Sequence, residues 1–206
     1  MPSFKKIFCA ALLSLFLALP AQAAEFSAKE MKAMGVFLSN FTEIRFMNVE
    51  AEEFLDEADP AGMIRFGVWH NYVNNFKSRI RRCADANCKW GSLTIDGKYV
   101  RESVKRYFGY ELKKLPSVDD ADNDGWNFHF DGKLYHFEGA DGEATYYADV
   151  MKAQTGKDGL VRMSGEVYNA EDRKDVSGTF KAIARPHTWN GKKTWALVKL
   201  QTTFKD

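Results

Sequence analysis

Near residue 126 the spacing of apolar side chains changes from a helical to a strand period, and this switch constrains the fold more than any other feature of the chain. Before it, apolar residues recur three and four positions apart. After it they alternate, with turn residues between the runs. Helices gathered ahead of an antiparallel meander predict an α+β fold, with N-terminal helices packed on one face of a C-terminal sheet of about six strands.

The helical half opens with Ser27 and Glu30, a capping box, and Met31, Met34, Leu38 and Phe41 then mark one face. A second short helix is expected over Glu50 to Ala58. Asp59-Pro60 reads as an N-cap followed by proline at the first helical position. Ile64, Val68, Tyr72, Phe76 and Ile80 would carry this third helix to about Arg82, with basic residues offsetting the negative end of its dipole. A strand at Ser92–Ile95 and a helix from Lys98 to Phe108, closed by Gly109, complete this half. In the other half, 126–138 reads as a hairpin on a two-residue Asp131-Gly132 turn, which pairs His129 with Leu134. Strands follow at about 144–154, 160–169, 178–186 and 193–204, with turns near Asp141-Gly142, Asp158-Gly159 and Asn190-Gly191 and a polar loop at 170–177.

The first residues belong to a different physical class. Lys5 and Lys6 precede an apolar run from Ile7 to Leu19, and Ala21-Gln22-Ala23 supplies a small-x-small cleavage site. These are the parts of a secretory signal peptide, and the run falls short of the roughly 20 residues needed to span a bilayer. The expected mature chain is residues 24–206, a single domain with no transmembrane segment, placed in the periplasm or secreted. Removing two lysines from 29 basic residues leaves 27 against 28 acids, a net charge of −1. That balance gives no reason to expect nucleic acid. Removal also leaves two cysteines, Cys83 and Cys88, whose separation suits a local disulfide in an oxidising compartment better than a redox motif.

Three groups of residues carry candidate chemistry. Asp120, Asp122, Asp124, Gly125 and Asp131 stand at positions 1, 3, 5, 6 and 12 of a calcium-loop pattern. Asp in place of Glu at position 12, and a strand where a helix should follow, depart from that pattern. A calcium site and a solvated acidic turn both fit. His129 and His136 share one hairpin face with Asn127 and Glu138, which suits either a transition metal or a plain polar face. His70, Asn71 and Asn74 lie on the third helix, where asparagine is a poor interior residue. They read as a ligand-binding cleft, or as helix-to-sheet hydrogen bonding.

Charge is uneven: Glu43–Asp59 holds seven acids and one arginine, while Lys77–Arg106 holds nine basic residues and three acids. Either block suits a charged partner or solvent. The order of elements is similar to NTF2-like or cystatin-like layouts. Phe37-Leu-Ser-Asn-Phe-Thr-Glu43 and Ile64-Arg-Phe-Gly-Val-Trp-His-Asn-Tyr72 resemble segments of exported bacterial proteins without a defined activity. Export without a catalytic motif leads to the expectation of a non-enzymatic envelope module that binds a protein, peptide or glycan. The alternatives are an envelope hydrolase centred on His70 and Asn74, and a calcium-stabilised structural module.

Overall fold

A computed structural model describes residues 26–54, 60–74, 78–85, 88–119, 127–139 and 145–205. In chain order the elements are α1 (Ala28–Thr42), β1 (Asn48–Glu50), α2 (Ala51–Phe54), α3 (Ala61–Val73), β2 (Ile80–Arg82), β3 (Leu93–Asp96) and α4 (Gly97–Phe108). Then come β4 (His129–Phe130), β5 (Leu134–Phe137), β6 (Tyr146–Thr155), β7 (Val161–Asn169), β8 (Asp172–Trp189) and β9 (Lys192–Phe204). The layout is α+β, with helices N-terminal and most strands C-terminal.

The strands divide into two antiparallel sheets, ordered β1-β9-β8-β7-β6 and β2-β3-β5-β4. The meander of the C-terminal half therefore supplies four strands of the larger sheet. The hairpin around Asp131 turns away and pairs with β3, Tyr135 lying opposite Ile95. Along the larger sheet, Val161, Met163, Val167, Phe180, Ala182 and Ala184 are buried, with Leu197 and Leu200 brought opposite Ala184 and Ala182 by a shift in the β8–β9 register. They join Phe37, Phe41, Phe66, Val104 and Phe108 from the helices, and Ile95, Tyr135 and Phe137 from the smaller sheet, in one continuous core.

Helix α1 follows its local code. Ser27 Oγ accepts from the Glu30 amide, and the Glu30 carboxylate accepts from the Ser27 amide at 2.8 Å. Its buried side seals the free edge of β6. Ser39 Oγ accepts from the Ala148 amide at 3.0 Å, and Thr42 Oγ1 donates to the Tyr146 carbonyl at 2.8 Å. Gly35 allows this approach, since a Cβ there would lie 2.9 Å from the Ala148 carbonyl oxygen. Helix hydroxyls thus satisfy strand groups that would otherwise offer a pairing edge. Helix α4 is capped by Asp96, whose carboxylate accepts from the Lys98 amide, and ends at Gly109 with φ +64°.

Helix α3 departs from its periodicity. It ends at Val73, and Ile80–Arg82 is a strand paired with β3 instead of a last helical turn. The Cys83–Cys88 loop is the physical reason. To turn back on itself it needs two antiparallel flanks, and the Cys83 amide donates to the Ser92 carbonyl at 2.8 Å. Arg79, Arg81 and Arg82 therefore lie beyond the helix, not in its last turn. Pro60 occupies the N-cap position of α3, and Asp59 lies outside the described residues. So do the end of the second expected helix, Asn75, Lys77, Trp126, Asp141-Gly142 and the signal segment.

The hairpin turn is longer than the Asp-Gly pair suggests. Phe130 pairs with Tyr135 and His129 with His136, leaving Asp131, Gly132 and Lys133 between the two strands. Asp131 drives this, because its Oδ1 accepts from the amides of both Lys133 and Leu134, at 2.8 and 2.7 Å. The shift in register is even, so every side chain keeps its predicted face. At the opposite joint, the expected polar loop 170–177 contracts to a two-residue turn, and β8 starts at Asp172 with irregular register against β7.

Candidate functional site

The ends of α1, α3 and α4 converge on His70, which is 2% exposed. The Phe66 ring lies parallel to the imidazole at 5.5 Å, and the Tyr107 ring meets it edgewise at 4.5 Å. Asn74, which ends α3, donates its amide toward His70 Nδ1 at 3.1 Å and to the Glu43 carboxylate. Tyr107 donates its hydroxyl to Asn40 Oδ1 at 2.8 Å. Burial, then the positive fields of Arg106 and Arg79, pull the His70 pKa down to about 3. Burial pushes Glu43 up to about 7 against the opposing hydrogen bond from Asn74, and pushes Tyr107 up to about 12.

Asn71 is fully buried one residue along. Its amide nitrogen donates to the Gly67 carbonyl at 2.7 Å and to Ser103 Oγ at 2.8 Å, and its oxygen accepts from Arg79 at 3.0 Å. Arg79 continues to Glu102 at 3.2 Å and lies 4.5 Å from the Tyr99 ring centroid. His70, Asn71 and Asn74 are thus gathered at one junction, each bonded to protein groups that tie α3 to α1 and α4. The unfavourable helix propensity of Asn71 is offset by these bonds, whereas Asn74 stands at the C-cap and not in the helix interior. Burial that lowers its basicity, and enclosure between two aromatic rings, make His70 a weak proton acceptor. The Glu43 carboxylate is bridged to it through Asn74.

A second constellation sits on the smaller sheet. Cys83 and Cys88 are paired as a disulfide, with their Cα atoms 6.4 Å apart. His136 projects from β5 toward them, its Nδ1 3.2 Å from Cys88 Sγ and 3.6 Å from Cys83 Sγ. Its Nε2 lies 3.0 Å from Asp131 Oδ2. The His136 hydrogen bond, with the Leu134 and Lys133 amides, holds the Asp131 carboxyl down at about 2. Among the described residues these two cysteines and His136 are the one group of His, Cys, Asp or Glu side chains able to converge on a single ion.

His129 faces His136 across the hairpin with ring centroids 6.2 Å apart, but it stacks on Trp90 at 4.1 Å. Asp131, the twelfth residue of the calcium-loop pattern, directs its oxygens into the hairpin and onto His136. Asp120, Asp122 and Asp124 lie outside the described residues. The sequence reading missed the meeting of Cys83, Cys88, His136 and Asp131. Its only local signal was that His136 alternates with the buried Tyr135 and Phe137, which leaves the imidazole on the polar face.

The larger sheet presents a different surface on its outer face. Asp149, Glu166, Thr179 and Thr203 form one row across four strands, and Lys152, Ser164, Lys181 and Gln201 form the next. All eight are exposed or half-buried. Tyr147 and Tyr168 extend this face with rings 6.0 Å apart. No described helix is long and apolar enough to cross a membrane. In comparison with known proteins, no family model, no curated protein and no solved structure matches the chain.

Proposed function

We propose that the chain is an exported, non-enzymatic binding or accessory module of the bacterial envelope, acting as residues 24–206 after signal cleavage. It holds a protein, peptide or glycan on the outer face of the larger sheet. The observation that carries this reading is the contrast between the two faces of that sheet. One is closed by apolar packing, and the other spreads two rows of polar side chains over four strands. The Lys5–Ala23 segment and the Cys83–Cys88 pair support export to an oxidising compartment. The hydrolase alternative draws less support, since His70 is buried, lowered in basicity by that burial and packed between rings.

The test compares the immobilised purified protein with a Lys152→Glu/Lys181→Glu variant in capture from periplasmic and culture-supernatant extracts, with and without calcium. A Lys29→Glu/Lys32→Glu variant on exposed positions of α1 serves as the control. The expected result is a defined partner retained by the wild type and the control, and lost at least tenfold in the sheet variant. Equal capture by all three proteins would overturn the proposed surface. N-terminal sequencing of the exported product should begin at Ala24, and an intact cytoplasmic chain would refute export.

A further inference from the structure

We propose that Cys83, Cys88 and His136 form a zinc-type transition-metal site that is present when the cysteine pair is reduced and is replaced by the disulfide on oxidation. This site lies on the smaller sheet and is independent of the binding face proposed above.

The argument starts with the imidazole. Asp131 Oδ1 accepts from two backbone amides, and Oδ2 faces His136 Nε2 at 3.0 Å. The carboxylate acts as an acceptor, so Nε2 carries a proton and Nδ1 is the nitrogen turned to the two sulfurs. With the cysteines reduced, Nδ1 is placed to serve as the third ligand of an ion bound to the two thiolates. The carboxylate–histidine pairing is the outer-sphere arrangement that orients histidine ligands in metal sites.

Distances agree with that reading. Zn–S near 2.3 Å and Zn–N near 2.05 Å at a tetrahedral angle place ligand nitrogen and sulfur about 3.6 Å apart. His136 Nδ1 stands 3.2 and 3.6 Å from the two sulfurs. The Cys83 end is anchored where the β2–β3 pairing continues into the Cys83 amide–Ser92 carbonyl bond, and the Cys88 amide donates back to the Asp85 carbonyl within the loop. Two thiolates and one imidazole favour zinc or a softer ion over calcium or magnesium. With three protein ligands the fourth position falls to water or an exchangeable ligand.

The exchange balances with a dithiol as the reductant. A thiolate of the dithiol attacks one cysteine sulfur and the Cys83–Cys88 bond breaks. The dithiol closes to its own disulfide, and two electrons and two protons pass to the cysteines. The divalent ion then displaces both thiol protons, and His136 adds its lone pair without losing a proton. Oxidation by an acceptor disulfide withdraws the two electrons, restores the Cys83–Cys88 bond and releases the ion.

The test titrates cobalt(II), a spectroscopic probe for this geometry, into the purified protein after reduction with a phosphine and its removal under anaerobic conditions. The expected result is a thiolate-to-cobalt charge-transfer band and tetrahedral ligand-field bands that saturate at one equivalent and disappear when zinc is added. The oxidised protein should show neither. His136→Gln should bind at least tenfold more weakly with altered ligand-field bands. Asp131→Asn should keep the wild-type spectrum while weakening affinity about 10- to 100-fold. Absence of the bands at one equivalent in the reduced protein overturns the proposal. So does a His136→Gln variant with wild-type affinity and spectrum, or a reduced chain that loses its native circular dichroism and does not regain it with zinc.

Discussion

His70 and His136 each have one ring nitrogen held by a side chain of the same chain, yet they occupy opposite physical regimes. His70 is 2% exposed, held at Nδ1 by the neutral Asn74 amide and enclosed by the rings of Phe66 and Tyr107. His136 retains 14% of its side-chain exposure, is held at Nε2 by a carboxylate, and turns its other nitrogen to two sulfurs. The first environment suppresses charge and fixes three helices together. The second, facing cysteine sulfur, orients one ring nitrogen. Histidine reads the same in both segments of the sequence, and its neighbours across the fold decide what it can do.

The sharpest way to break this contrast is to empty each site. Phe66 is fully buried beneath His70, so Phe66→Ala should lower stability by about 3–5 kcal/mol, read from the urea denaturation midpoint. His136→Ala should cost far less by the same measurement. An equal loss would mean that the smaller sheet is as critical to folding as the helical junction.

The next largest effect is in pH. His70 falls from 6.5 to about 3 on folding, so its stabilising contribution is present above pH 6.5 and is lost as pH drops toward 3. Glu43 rises from 4.5 to about 7, so its contribution is present below pH 4.5 and is lost as pH climbs through 7. Between about pH 4.5 and 6.5 the two slopes, each up to about 1.4 kcal/mol per pH unit, oppose one another and flatten the profile. Glu43→Gln should unmask the His70 slope. Relative to wild type, the variant should gain up to about 3 kcal/mol between pH 4 and pH 8 in paired denaturation curves. Parallel profiles would show that Glu43 is solvated in solution.

Two smaller effects probe the His136 region. Opening the Cys83–Cys88 bond without added metal should cost about 2 kcal/mol, since it releases only a short loop, and a thermal melt with and without phosphine measures it. Asp131→Asn should cost about 1 kcal/mol or less, by weakening acceptance from the Lys133 and Leu134 amides. A larger loss would show that the turn, and with it the His129–His136 register, collapses without the carboxylate.

Much of the fold was legible because its signals are local. The Ser27/Glu30 capping box, the Val100–Val104–Tyr107–Phe108 stripe ending at Gly109, and the Asp158-Gly159 and Asn190-Gly191 turns each lie within a few residues of the structure they specify. The Ile80 position shows where that legibility fails. It continues the apolar period of α3, but its conformation is set by pairing with Ile95 and by closure of the cysteine loop. The candidate site was less legible still. The polar character of His70, Asn71 and Asn74 was visible, but not whether they faced a cleft or one another.

The sequence alone determined the α+β order, the helix caps, the alternating strands and the pairing of Cys83 with Cys88, because each depends on dihedral preference, side-chain period or a short covalent loop. Only the tertiary structure decided the division into two sheets and the meeting of His136 with the cysteines. These depend on β3 pairing with β5 across some forty residues of chain. Such pairing is chosen by which buried faces fit together, a property that no single segment carries.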